Sequence, residues 1–168
     1  MIGLKPDPRT LSRLGSVSRE TLDRLVAYVS ILAEWQSKIS LIGSSEIDQI
    51  WDRHIVDCGQ LAPLLQTIPG PKADLGSGAG FPGVPLKILF PFLSLTLIDS
   101  TAKRTDFLHR LLERLGIEDV KVVTSRAELC GHNSDLREAF DLVVSRAVAR
   151  IRVVLEYTLP LCKVGGQV

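Results

Sequence analysis

At 168 residues, with 45% hydrophobic and 23% charged residues and a formal net charge of +1, the chain has the proportions of one globular domain with a continuous core. That balance excludes a disordered chain, and a charge so near zero means that a nucleic-acid partner would need a local basic patch rather than a bulk field. The most apolar stretch, residues 84–98, is interrupted by Pro85, Lys87 and Pro91 and is too short to cross a bilayer.

The N-terminal residues carry basic groups without a continuous apolar core, so no secretory signal is expected and the cytoplasm is the expected compartment. Cys58, Cys130 and Cys162 are odd in number and contain no Cys-x-x-Cys pair, which excludes a disulfide framework and a zinc knuckle. They read as reduced and buried. His54 and Cys58 share a helical spacing, but no further ligand lies nearby in sequence and no metal site is expected.

In chain order, residues 1–17 hold Gly3, Pro6, Pro8 and Gly15 and read as an irregular lead-in. Ser18 can cap a helix running to about residue 38, with Leu22, Leu25, Val26, Val29, Leu32 and Ala33 at helical spacing. A second helix begins at Ser44 or Ser45, where Ser45-x-x-Asp48 resembles a capping box. Ile47, Ile50, Trp51, Ile55, Cys58 and Leu65 line its apolar face up to Pro69-Gly70-Pro71. Residues 18–68 thus form an N-terminal helical cap on a core beginning at residue 72.

That core alternates strands and helices. Strands are expected at 73–75, 94–99, 120–124 and 140–145, and helices at 82–89, 101–115 and 149–159, the second stopped by Gly116. Repeated β-α-β units imply an α/β fold, a Rossmann-like, mostly parallel sheet with helices on both faces. Its ligand belongs at the carboxyl ends of the strands.

The stretch at that position is Asp74-Leu75-Gly76-Ser77-Gly78-Ala79-Gly80-Phe81-Pro82-Gly83. Read from Gly78 it matches the dinucleotide pattern Gly-x-Gly-x-x-Gly, with Asp99 following at the end of the second strand. Read from Asp74 it is Asp-x-Gly-x-Gly-x-Gly, the signature of S-adenosylmethionine (SAM) methyltransferases, whose cofactor has no pyrophosphate. Both readings give Asp99 the ribose hydroxyls. A P-loop is excluded, since no Gly-Lys-Ser/Thr follows. An NAD-type oxidoreductase and a non-catalytic nucleotide- or RNA-binding fragment remain as alternatives at this level.

Other segments narrow the choice. The runs Trp51-Asp52-Arg53-His54-Ile55-Val56-Asp57, Leu97-Ile98-Asp99-Ser100 with Lys103-Arg104 and Phe107-Leu108, Ser125-Arg126-Ala127-Glu128 and Ser145-Arg146-Ala147, together with Gly-Phe-Pro-Gly in the loop, resemble the RsmG (GidB) family. The resemblance extends from about Leu22 to the end. It implies methylation of N7 of a guanine in small-subunit (16S) ribosomal RNA with SAM as cofactor. It further implies that Gly76 and Phe81 contact the cofactor, that Ala127 and Glu128 flank its adenine, and that Arg146 borders the methyl-donor pocket as the catalytic candidate. Gly78 and Gly80 then lie on the methionine-and-ribose side of the pocket, and Gly83 becomes a packing glycine.

The chemistry agrees with what the sequence lacks. N7 carries an in-plane lone pair and no proton, so methyl transfer to it needs alignment and desolvation but no general base. Arg146 suits the positioning of a guanine or phosphate by a fixed donor fork. Arg53 is expected to pair with Asp57 four residues on, and His54 reads as a structural helix residue. Sheets of this methyltransferase type have seven strands, and the last would follow a turn at Gly165-Gly166. The chain therefore reads as truncated before those strands, with weakened SAM binding expected from it alone.

Lys103 and Arg104 occupy a helix's first turn, where the macrodipole disfavours cations by roughly 0.3–1 kcal/mol each. With Arg126 they are the candidate phosphate contacts for RNA. Replacing Lys103 and Arg104 by Ala is expected to weaken RNA binding and flatten its salt dependence while leaving cofactor affinity unchanged, as read by filter binding across a salt series and by calorimetry.

Overall fold

Five parallel strands in the order β3-β2-β1-β4-β5 set the position of everything else. The computed structural model describes residues 6–168, except the side chains of residues 44 and 45. The strands are β1 (Lys72–Leu75), β2 (Leu95–Asp99), β3 (Val120–Thr124), β4 (Phe140–Ser145) and β5 (Cys162–Gln167). The chain winds outward from β1 to β2 and β3, then crosses back to place β4 on the other side of β1. The crevice between β1 and β4 is therefore the topological switch point.

The period-two pattern of β2 sorts the two layers as expected. Leu95 and Leu97 join a core with Leu25, Tyr28, Leu32, Val84, Phe107, Leu108 and Leu111. Ile98 faces the other way, with Ala73, Leu75, Cys130, Leu136, Phe140, Val143 and Leu161. The first layer comprises α2 (Arg19–Gln36), α5 (Gly83–Leu89) and α6 (Ala102–Leu115); the second comprises α7 (Ala127–Cys130) and α8 (Ile151–Thr158). β1 is buried along its whole length, as a central parallel strand must be. Its first residue is Lys72, whose ammonium donates to the carbonyls of Ile68 (2.8 Å) and Gly70 (2.6 Å) at the end of α4 (Ala62–Thr67). The cation thus satisfies the carbonyl of the helix's C-cap and one in the loop beyond it.

Three local expectations change. Residues 1–5 of the lead-in lie outside the described residues, while Pro8–Arg13 forms a helix, α1, whose N-terminal N–H groups on Arg9 and Thr10 are capped by Asp7 at 2.7 and 2.9 Å. A Pro at the first helical position costs no hydrogen bond, which is why the proline-rich lead-in is not all irregular. The second N-terminal helix is segmented into a 3₁₀ turn (Ser44–Gln49), a π-helical turn (Trp51–Val56) and α3 (Asp57–Gly59), with α4 following. Its cap comes from Glu46, whose carboxylate accepts the Gly43 N–H at 3.1 Å, rather than from a Ser45–Asp48 box.

The third change concerns Gly165-Gly166, which lies inside β5 rather than in a turn before another strand. Gly165 has φ +84°, and the β4–β5 register shifts there, so the pair forms a bulge. A Cβ on Gly166 would meet the carbonyl oxygens of Lys163, Phe140 and Asp141 at 3.0–3.2 Å. The same residue pair that signals a turn also builds a bulge, which is why the sequence did not separate the two.

Candidate functional site

The loop after β1 is held from three sides. Asp74 is fully buried, and its Oδ2 accepts the N–H of Gly83 at 2.9 Å, tying the loop's end to its start. The Ser77 hydroxyl donates to the Asp74 carbonyl (2.9 Å) and accepts the N–H of Ile98 (3.1 Å). From α2, the buried Tyr28 hydroxyl donates to the Ala79 carbonyl at 2.9 Å, and its ring meets Phe81 edge-on at 5.4 Å.

Five of the N–H groups at the start of the loop are directed inward. Those of Gly76 and Ser77 go to Ile98 O, those of Gly80 and Phe81 to Ser77 O, and that of Gly78 to the Asp99 carboxylate at 2.9 Å. A pyrophosphate would need these donors free. The loop is therefore no phosphate cradle but a surface against which an uncharged or cationic group can lie.

Gly76, at φ +81°, tolerates no side chain, since a Cβ there would lie 2.2 Å from Val148 Cγ2. Gly78 is open on its Cβ side. Gly80 points away from the cavities, its Cβ position facing Val84 (2.7 Å) and Leu108 (3.4 Å). Gly83 is a packing glycine, since a Cβ there would lie 2.5 Å from Leu97 and 2.8 Å from the Asp74 carboxylate.

Two cavities open at the strand ends. The smaller, about 240 Å³, is lined by Gly76, Asp99, Ser100, Ser125 and Ala127 among others. The larger, about 600 Å³, is bordered by Gly76, Gly78, Phe81, Arg53, His54 and the 40–43 segment. Gly76, Arg104, Arg146 and Ala147 line both, so the cavities meet along a shared wall. Asp99 is almost fully buried, its oxygens accepting the N–H groups of Gly78 and Thr101 at 2.9 Å each. Each carboxylate oxygen retains a second acceptor position for a hydroxyl.

Arg146 is the hub. Its guanidinium donates to Asp57 Oδ2 (3.1 Å), to the Arg53 carbonyl (3.4 Å) and to His54 Nδ1, and lies 5.2 Å from the centre of the Phe81 ring. Asp57 thus pairs with Arg146 and not with Arg53, which is left to line the larger cavity. His54 stacks on Phe81 with ring centres 4.6 Å apart. Burial, then the adjacent Arg146 charge, pushes the His54 pKa down and keeps the ring neutral. The next residue, Ala147, has φ +56°, a left-handed conformation that a non-glycine residue adopts at a cost and that sites often retain.

The predicted residues divide accordingly. Gly76, Gly78, Phe81, Asp99, Ala127 and Arg146 converge on the two cavities, and Arg104 joins them, 3.8 Å from Asp99. Gly80 is a packing glycine. Glu128 lies outside the cavity wall, half-exposed and 3.7 Å from Arg126. Lys103 and Arg126 are exposed and line neither cavity, so the Lys103/Arg104 pair separates into one outer and one inner cation, and an unchanged cofactor affinity is expected of Lys103→Ala but not of Arg104→Ala. His54, Asp57 and Tyr28 belong to the site although the sequence reading treated none of them as functional. The run 51–57 carried a signal for the first two. Tyr28 carried none, since a helical apolar stripe does not distinguish a core tyrosine from one that holds a loop.

The family model of GidB, rRNA small subunit methyltransferase G, matches residues 21–168. The chain belongs to that family. It is 43% identical over 147 residues to the ribosomal RNA small subunit methyltransferase G of Acetivibrio thermocellus and 45% identical over 148 to that of Alkaliphilus metalliredigens. These alignments cover 88% and 86% of the chain and 61% of either relative, so the chain spans about three fifths of their length. The Streptococcus pyogenes relative is 42% identical over 164 residues, covering 95% of the chain and 68% of that protein. Among solved structures, a Corynebacterium glutamicum protein overlays with TM-score 0.62 at 18% identity, covering 94% of this chain and 69% of that one. M. jannaschii TYW2 in complex with AdoMet overlays with TM-score 0.53 at 14% identity, over 76% and 52% of the two chains. These overlays show the Rossmann-like fold. Among the described residues no helix is long and apolar enough to cross a membrane.

Within this GidB-family site Asp74 is a carboxyl strongly altered by its surroundings. Burial raises its pKa from 3.8 to about 7, and its Oδ1 has no hydrogen-bond partner among the described residues. Between those two pH values the folded chain holds a proton that the unfolded chain has lost. The resulting stabilisation is complete below pH ~4 and is lost as pH rises through 7. Asp74→Asn fixes the side chain in its neutral shape. In urea unfolding across pH 4–8 the variant should gain on the wild type with rising pH, by a gap on the order of a few kcal/mol above pH 7, and the gap should close at pH 4.

Proposed function

We propose that this chain is the SAM-binding part of an enzyme that methylates N7 of a guanine in small-subunit (16S) ribosomal RNA, acting in the cytoplasm. The observation that carries the reading is the shared wall of the two cavities. One cavity has the acid and small residues suited to an adenosine, the other an arginine-rich lining suited to an RNA nucleotide, and they join beside Gly76 and Arg146.

The residues fit the cofactor. Asp99 offers acceptors to the ribose hydroxyls, Ala127 leaves room for the adenine, and the side-chain-free surface of Gly76 and Gly78 accepts the methionine. The inward-turned loop donors disfavour a dinucleotide. When bound, SAM supplies a methyl group on a sulfonium, an electrophile that needs no metal.

The chain's own part is positional. Phe81 and His54 form an apolar, neutral wall that excludes water from the transfer path, and Arg146 fixes the nucleotide or its phosphate while remaining anchored by Asp57. No side chain has to take a proton, because N7 has none. The helices in residues 18–68 complete the cavity as a cap, so they and the sheet act as one unit. Arg104 serves the junction of the cavities, and Lys103 and Arg126 form the outer phosphate contacts.

The test is methyl transfer from labelled SAM to small ribosomal subunits and to free RNA lacking the modification, with nucleoside mapping. Label is expected in 7-methylguanosine at one position, and SAH is expected to bind by calorimetry where NAD does not. Label in another nucleoside, or binding of NAD with none of SAH, would overturn the reading.

A further inference from the structure

His54 carries a hydrogen that nothing among the described residues accepts. A guanidinium has donors only, so the Arg146 contact with Nδ1 makes Nδ1 the acceptor and puts the ring's hydrogen on Nε2. Nε2 is buried and without a hydrogen-bond partner. The Glu46 Oε2 atom is 3.7 Å away, beyond hydrogen-bond range, and takes the Gly43 N–H at 3.1 Å instead. The side chain is only 7% exposed, yet it borders the larger cavity, its ring held flat against Phe81. Nε2 itself has almost no accessible surface, so an acceptor reaches it from the cavity only as a neighbour such as Glu46, which lines the same cavity, turns aside; a buried donor left unpaired favours that exchange.

We propose that His54 Nε2–H donates to O6 of the guanine whose N7 is methylated, making His54 the residue that distinguishes guanine from adenine. The inference rests on the guanine-N7 reading of this site. O6 and N7 are neighbouring acceptors on one edge of guanine, whereas adenine presents an amino donor in place of O6. Against adenine, two donors would face each other. An anionic ligand group, such as the cofactor's carboxylate, is better matched by the guanidinium groups of Arg53, Arg104 and Arg146 on the same cavity than by an uncharged imidazole.

The experiment compares wild type, His54→Phe and His54→Gln. Phe keeps the stacking on Phe81 and removes the donor; Gln restores an N–H near the place of Nε2. Each is assayed on small-subunit RNA carrying either guanine or 2-aminopurine, which keeps N7 but lacks O6, at the mapped position. SAH affinity is measured in parallel by calorimetry. Removing O6 should lower wild-type kcat/KM about 10- to 100-fold. His54→Phe should be slow on both RNAs, with a ratio near one, and His54→Gln should recover part of the preference. SAH affinity should stay within about twofold throughout. An unchanged guanine preference in His54→Phe overturns the proposal, as does a loss of SAH affinity of more than about tenfold, which would place the acceptor on the cofactor. If the wild type methylates no guanine N7 at all, the underlying functional reading fails and this inference falls with it.

Discussion

One guanidinium ties the turn at residues 53–57 to the glycine loop. Arg146 leaves the end of β4 at the switch point and reaches the π-helical turn and the start of α3, where Asp57, the Arg53 carbonyl and His54 receive it. Its other face lies on Phe81 of the glycine loop. The pair with Asp57 is half-exposed and contributes little energy as an ion pair. Its value is geometric. It holds residues 53–57 against Phe81 along one wall of the larger cavity, while the shared apolar core packs the N-terminal helices on the sheet. The irregular winding of residues 51–56 places Arg53, His54 and Asp57 within reach of one side chain, consistent with π turns recurring at functional sites.

Around this junction the polar groups follow a consistent logic. The N–H groups of Gly76, Ser77, Gly78, Gly80 and Phe81 are spent on Ile98, Ser77 and Asp99, so the loop's outer surface offers shape more than charge. Asp74 is neutralised by burial over much of the acid range, and Cys58, behind the loop, is pushed up to about 12. These groups do not act as nucleophile or base. The proposed transfer to a lone pair has no use for either, and leaves desolvation and orientation as the chain's contribution.

Much of this was legible in the sequence. The period-two pattern of β2 and the apolar spacing of α6 gave those elements nearly to the residue, because burial on a fixed face admits few alternatives. Gly76, Gly78 and Asp99 were legible as cavity-lining positions because a turn that takes positive φ and an acid at a strand end are local features. Gly80 was assigned to the cofactor surface because spacing alone does not show which way a glycine's missing side chain would point. His54 and Asp57 were hidden for a different reason. Their roles arise from a contact 89–92 residues away in sequence, and an Arg-His pair in a helix has an ordinary local explanation. The buried Lys72 in the central strand was equally opaque, since its partners are carbonyls and leave no mark in a sequence.

The account's central claim is that Arg146 couples the N-terminal helices to the glycine loop. Native-state hydrogen exchange on Arg146→Ala tests it most directly, because it reads local opening without reference to activity. The account predicts that amides of residues 51–59 and 76–83 exchange faster together, by about tenfold or more, while those of β1 and β2 keep their wild-type protection. Wild-type protection of residues 51–59 in the variant, or a uniform loss across the whole sheet, would contradict it.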